Sequence, residues 1–210
     1  GLDKGITPLE LAAAYSTIAN DGNYIEPSFY IKVENRLAKT VVKPNQKKYK
    51  AFSKEVAFII QDLLREPVIG SHGTATYCKI KNIDVAAKTG TTNNEYDRWL
   101  CGFTPYYTAV TWFGFDVNET IDFNKKNPSG LIWSNVMKSI HTGLDGKIFD
   151  KPYRVETAQV CKHSGLLAST ECNETYTEYY LRNTMPKQTC VNHKAIVVDT
   201  PITREDGFEQ

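Results

Sequence analysis

Between Asp84 and Trp99 the chain reads Asp-Val-Ala-Ala-Lys-Thr-Gly-Thr-Thr-Asn-Asn-Glu-Tyr-Asp-Arg-Trp. A short β-prone run carries Lys88-Thr89-Gly90-Thr91, a polar loop follows from Thr92 to Tyr96, and an aromatic strand begins at Trp99. This layout suits a strand edge lying alongside an extended peptide, with backbone groups pairing to the ligand and side chains presenting a cation and hydroxyls to an anion. Lys88 supplies a compact positive charge and Thr89 and Thr91 supply hydroxyls. Gly90 removes a Cβ where a ligand must come close. As a bare tripeptide Lys-Thr-Gly carries little information, so the flanks decide.

The elements that must position this run can be read on both sides of it. Thr7-Pro8-Leu9-Glu10 is a capping box with Pro at the first helical position, opening a helix over Leu9 to Asn20 that stops at Asp21-Gly22. Its three consecutive alanines, Ala12 to Ala14, predict close packing against a neighbour. Ser28 to Glu34 and Thr40 to Lys43 read as two strands joined by a polar turn. Ser53 caps a second helix with Val56, Ile59, Ile60, Leu63 and Leu64 at helical spacing, and Pro67 marks its end or a kink. Val68 to Ala75 is a Gly-containing loop whose His72 is read as solvated. Arg98 to Thr104 and Tyr107 to Asp116 form a hairpin turned at Thr104-Pro105, beside a strand at 84–89. Trp133, Val136, Met137 and Ile140 lie on one face of a last helix running to about Gly143. The order predicts an α/β (α+β) fold in which helices pack on an antiparallel sheet.

Composition bounds the function. The 210 residues are 41% hydrophobic and 23% charged, an ordinary globular balance. A net charge of +1 offers no electrostatic case for nucleic acid or an anionic membrane surface. No apolar run approaches the ~20 residues of a membrane span. The chain opens at Gly1-Leu2-Asp3, which reads as a piece cut from something longer.

Several of these stretches together carry a resemblance. Ile6 to Gly22, followed by Pro27, is similar to the helix between the second and third catalytic motifs of bifunctional (class A) penicillin-binding proteins. Ala86-Ala87-Lys88-Thr-Gly-Thr-Thr92, Asp97-Arg98-Trp99, Gly102-Phe103-Thr104-Pro105 and Trp112-Phe113-Gly114-Phe115-Asp116 resemble the third motif of that family and the hairpin after it. The motifs run in the family's order over about Gly5 to Gly143. Two motifs are missing: no Ser here is followed three residues on by Lys or two residues on by Asn. Residues 1–149 are therefore identified as the C-terminal part of a transpeptidase domain whose nucleophilic Ser precedes Gly1.

The resemblance implies DD-transpeptidation of peptidoglycan. The absent Ser attacks the D-Ala-D-Ala end of a stem peptide, D-Ala leaves, and an amine on a neighbouring stem takes the acyl group; β-lactams acylate the same Ser. Lys88 and Thr91 would be the catalytic groups present. Lys88 would help proton movement and anchor the substrate carboxylate, and the Thr91 N–H would be one oxyanion donor. Thr89 and Thr91 hydroxyls would bind the carboxylate, Gly90 would keep the edge open, and Thr92, with Asn93, would stand at the rim. Asp97-Arg98 could pair near the site and is read first as a structural ion pair. The implied partners are the N-terminal part of the same domain, peptidoglycan stem peptides and β-lactams. The implied location is the extracytoplasmic face of the bacterial membrane, through an anchor ahead of this chain; full-length members also carry a glycosyltransferase domain. Two other functions use the same residues: hydrolysis, as in carboxypeptidases and serine β-lactamases, and non-catalytic binding of cell-wall peptide. The leading helix motif and the tail oppose the first of these.

Residues 150–210 shift to Thr, Glu, Tyr and Cys with little helical periodicity and read as an irregular extension. Cys161 to Cys172, Tyr179 to Pro186 and Cys190 are similar to a C-terminal segment of Gram-positive members. One disulfide among Cys161, Cys172 and Cys190, of unreadable connectivity, would staple a segment with little core. Alternatively, Cys161, His163, Cys172, Cys190 and His193 have the donor types of a zinc site, with a Cys161–His163 spacing unlike the usual fingers. No metal and no cofactor are assigned from sequence. Cys78 and Cys101 are expected to be buried apolar residues.

Overall fold

The computed structural model describes residues 5–121 and 126–191, which fall into two compact units, Gly1–Val155 and Glu156–Gln210. In the first unit, α1 (Pro8–Ala19) starts as its sequence dictates. The Glu10 N–H donates to the Thr7 hydroxyl at 3.2 Å, and the Thr7 N–H donates to the Glu10 carboxylate at 2.8 Å. The helix stops where Asp21 and Gly22 take positive φ, 55° and 82°. At Gly22 a Cβ would stand 2.2 Å from the Phe52 carbonyl oxygen, so only glycine makes this turn. Of the three consecutive alanines, Ala13 alone is fully buried.

Two small antiparallel ribbons follow. β1 (Asn23–Ile25) pairs with β4 (Lys48–Lys50), and β2 (Val33–Glu34) pairs with β3 (Thr40–Val42). The strand expected over Ser28–Glu34 is thus reduced to its last two residues. Ser28 explains part of this: its hydroxyl donates to Tyr30 O at 2.7 Å and accepts the Tyr30 N–H at 3.3 Å, a local turn that competes with a ladder. Phe29 and Ile31 stay exposed as a result. α2 (Lys54–Ile69) is capped by Ser53, which accepts the Val56 N–H at 3.3 Å. Pro67 does not end this helix. It sits in the last turn, where the missing N–H costs a single intrahelical bond, and its carbonyl accepts the Ala75 N–H at 2.9 Å as the chain folds back.

β5 (Ala86–Thr91), β6 (Asp97–Phe103) and β7 (Thr108–Gly114) form an antiparallel sheet in the order β5-β6-β7. Alternation sends Ala86, Lys88, Cys101 and Phe103 to one face, where Tyr15 of α1 meets Phe103 edge-on at 6.3 Å. Val85, Ala87 and Leu100 point the other way, into a core with Val68 of α2 and with Trp133 and Met137 of α3 (Pro128–Ile140). Gly102 is required by that packing, because a Cβ there would lie 2.8 Å from Ala87 Cβ and 3.0 Å from Trp133.

The buried stripe of α3 differs from the one read in its sequence. Trp133 and Met137 are inside, but Val136 and Ile140 are exposed, and Ser129, Gly130 and Ser134 take the remaining inward positions. The serines are there for their hydroxyls: Ser129 donates to Arg98 O at 2.5 Å and Ser134 to Tyr77 O at 2.9 Å. From Glu156 on, the second unit contains a two-stranded sheet of β8 (Val155–Cys161), whose first residue belongs to the first unit, and β9 (Thr175–Leu181), more regular structure than its composition suggests. Among the described residues no helix is long and apolar enough to cross a membrane.

Candidate active site

β5 pairs with β6 on one side only, so among the described residues its other edge carries no partner strand, and it is accessible from Lys88 to Thr91 while Ala86 and Ala87 are buried. An open edge is an unsatisfied row of N–H and C=O groups, ready for an added strand. This one carries the cation and hydroxyls singled out above. A groove of about 690 Å³ runs along it, lined by Lys88–Thr92, Trp99 and Cys101 of the sheet and by Gly5, Ile6, Glu10, Leu11 and Tyr15 at the start of α1.

Lys88 is exposed, and its ammonium makes only a long 3.5 Å contact with Thr89 O; among the described residues it forms no ion pair. Gly90 faces the Cβ of its cross-strand partner Trp99, which an added Cβ would approach to 3.1 Å. Thr89 and Thr91 project to the face opposite Lys88, and each is held by a second residue. The Thr74 and Thr89 hydroxyls lie 3.1 Å apart. Arg98, opposite Thr91 in register, donates to the Thr91 hydroxyl at 3.2 Å and is itself tethered by Glu95 at 3.0 Å. The Thr91 hydroxyl, which accepts from Arg98, keeps its own proton for a ligand in front. Such an edge can bind a carboxylate at the threonines and hold a cation beside the reacting group.

Thr92 is used differently. Its hydroxyl donates to Asp97 Oδ2 and accepts the Asp97 N–H, both at 3.0 Å, closing the loop over Thr92–Tyr96. Asp97 Oδ1 accepts the Trp112 indole N–H at 2.7 Å. Asp97 and Arg98 therefore do not pair with each other as expected: neighbours on a strand point to opposite faces, and each finds its own partner. Burial pushes the Cys101 thiol up to about 11 and the Cys78 thiol to about 12, so both behave as the buried apolar residues expected. His72 is exposed in its loop. Thr74 was not legible as a site residue, because its contact depends on a packed loop, and Arg98, named from sequence for a different partner, reaches Thr91 through strand register.

Comparison with known proteins gives the arrangement its relatives. Residues 1–138 match the model described as the penicillin binding protein transpeptidase domain, and residues 151–195 match that of the penicillin-binding protein 1A C-terminal domain. Penicillin-binding protein 1A of Clostridium botulinum (strain Langeland) is 36% identical over 193 residues, covering 89% of this chain and 23% of that protein. Penicillin-binding protein 1A/1B of Bacillus subtilis (strain 168) is 33% identical over 209 residues, with 89% and 22% covered. The chain thus spans about a quarter of the length of these curated relatives. The crystal structure of penicillin-binding protein 1A from Haemophilus influenzae has the same fold, with a TM-score of 0.76 at 24% identity over 89% of this chain and 33% of that one. The D,D-transpeptidase domain of the peptidoglycan glycosyltransferase from Eggerthella lenta gives 0.52 at 28% identity, covering 66% and 33%. With the family model matched across the whole sheet and its flanking helices, the chain belongs to the penicillin-binding protein transpeptidase family.

Proposed function

We propose that this chain supplies the substrate-anchoring edge of a serine-type peptidoglycan DD-transpeptidase, with the nucleophilic Ser contributed by sequence outside these 210 residues. The observation that carries the proposal is the open edge of β5, with Lys88 on one face and the braced hydroxyls of Thr89 and Thr91 on the other. A D-Ala-D-Ala stem peptide laid along it would pair with the backbone and deliver its terminal carboxylate to the threonines. The same site would take a β-lactam by its carboxylate.

Within the complete domain, Lys88 assists proton transfer at the Ser and steadies the substrate's negative charge, and the Thr91 N–H points at the oxygen that gains charge during attack. Removing one such donor costs about 3–4 kcal/mol in this class of chemistry. Acyl transfer to an amine of a second stem completes the cross-link. Residues 1–149 form the transpeptidase part and residues 150–210 an extension to it. The site works at the extracytoplasmic face of the membrane, where its substrate lies, and the full-length protein has glycosyltransferase activity as well.

The test uses the full-length protein and a fluorescent penicillin, resolved on a denaturing gel, with the labelled peptide identified by mass. Label on a serine outside residues 1–210, with release of D-Ala and formation of a cross-linked dimer from a stem pentapeptide, is the expected result. D-Ala release without dimer would make the protein a hydrolase. Absence of label and of release would reduce it to a peptide-binding module.

A further inference from the structure

In the second unit, the chain brings together three thiols that transpeptidation does not use. Cys161 ends β8, and the turn beyond it is tied by the Cys161 N–H to Leu166 O at 2.8 Å and the Gly165 N–H to Cys161 O at 2.9 Å. Leu167 then bridges Val160 on one side and Thr189 on the other. Through this bridge the Cys190 N–H reaches Leu167 O at 2.8 Å, which sets Cys190 beside Cys161. A third stretch is drawn in where the Lys162 N–H donates to Glu174 O at 3.1 Å, two residues past Cys172. The three sulfur atoms all lie within 4.8 Å of one another, with Cys161 and Cys190 buried and Cys172 half-buried.

Such a cluster can hold a disulfide or a metal ion, and its geometry distinguishes the two. A disulfide consumes two sulfurs and leaves the third beside it, whereas a thiolate metal centre uses all three. Around a zinc ion with Zn–S bonds of about 2.3 Å, tetrahedral sulfurs stand about 3.8 Å apart, within small side-chain adjustment of the spacing here. The surroundings suit thiolates as well. The Ser169 N–H donates to Cys172 Sγ at 3.1 Å, and the Ser169 hydroxyl lies 3.5 Å from the same sulfur. Donors aimed at ligand sulfurs are the usual outer layer of a metal–thiolate site.

The unit also needs a staple. Among its described residues the buried hydrophobic ones are Val160, Cys161 and Cys190, so two of the three are members of the cluster. A two-stranded sheet with so little core does not hold itself together in water. We propose that Cys161, Cys172 and Cys190 ligate a structural zinc ion that organises the C-terminal unit, the second of the two readings the sequence left open. Thiolate donors select zinc over magnesium or calcium. The proposal rests on these three thiolates alone; His193, the other donor named from sequence after Cys190, lies outside the described residues.

The experiment measures zinc by mass spectrometry in the full-length protein, purified from zinc-supplemented cells without chelator. About one zinc per chain is expected, and each of Cys161→Ser, Cys172→Ser and Cys190→Ser should lower it at least about five-fold. Because a variant can lose metal by failing to fold, cobalt(II) is also exchanged into the unmodified protein. An intense sulfur-to-cobalt charge-transfer band with tetrahedral d–d absorption is then expected, absent from a protein whose cysteines have been alkylated. Negligible zinc together with a mapped disulfide between any two of the three cysteines would overturn the proposal. So would zinc retained in the triple serine variant, or a cobalt spectrum without thiolate bands. None of these outcomes depends on the transpeptidase activity.

Discussion

Lys88 stands exposed on an open strand edge, with its nearest polar contact 3.5 Å away, so removing its side chain disturbs little else. Lys88→Ala in the full-length protein should leave the melting temperature unchanged and slow acylation by a β-lactam by about 10²-fold or more, the scale of a lost proton-transfer group. Stopped-flow or gel-based acylation kinetics would read this, and an unchanged rate would remove Lys88 from the chemistry. Thr74 acts one step further back, through the hydroxyl of Thr89. Thr74→Val should weaken substrate and β-lactam capture by roughly 5–10-fold, the worth of one neutral hydrogen bond. A positioning role predicts that the loss appears in KM and is largely restored by Thr74→Ser; a loss that serine does not restore would point to packing instead. The Lys-Thr-Gly-Thr run could be picked out from residue types alone. Thr74, fifteen residues before its partner, could not, because nothing local to Gly73-Thr74-Ala75 says that the loop folds against β5.

At the scale of elements, the hairpin between β6 and β7 is held by one side chain. The buried Thr104 hydroxyl accepts the N–H groups of Tyr106 and Tyr107, each at 3.1 Å, and meets His141 Nε2 at 2.8 Å, while His141 Nδ1 lies 2.6 Å from Met137 O. Thr104→Val keeps the shape but strands these partners, and should destabilise the unit by about 1–3 kcal/mol in denaturant unfolding. Gly102→Ala presses a methyl between Ala87 and Trp133 and should cost a similar amount, about 1–3 kcal/mol. α1 adds a pH dependence. The Thr7 N–H, and then its hydroxyl, hold the Glu10 carboxyl below the usual range, so its contribution is present above the ordinary carboxylate pKa and is lost as pH falls through the lowered value. Melting curves over the acidic range should show this step in the unmodified protein and lose it in Glu10→Gln. The caps at Thr7 and Ser53 were readable because each signal lies within four residues of its target. The strand over Ser28–Glu34 and the apolar face of α3 were misread because partner strands and buried serine hydroxyls, not β-propensity or periodicity, decide those positions.

At the scale of the whole molecule, the sheet and its helices form a scaffold that holds an open edge, and in the proposed reaction that edge works with a nucleophile outside these 210 residues. The family membership was legible in the sequence, whose helix and third-motif signals stand in order; the proposed division rests on the lack of any Ser-x-x-Lys or Ser-x-Asn. In the tail the sequence left a disulfide and a zinc site both open, because cysteine spacing does not reveal which chain stretches converge. The central claim is that β5 anchors the substrate's carboxylate beside that nucleophile. The most direct measurement is a crystal structure of the full-length protein acylated by a β-lactam. The account predicts the drug's carboxylate within hydrogen-bond distance of the Thr89 and Thr91 hydroxyls, its acyl oxygen on the Thr91 N–H, and its ester on a serine outside residues 1–210. An acylated serine with the carboxylate held elsewhere, and β5 left untouched, would contradict it.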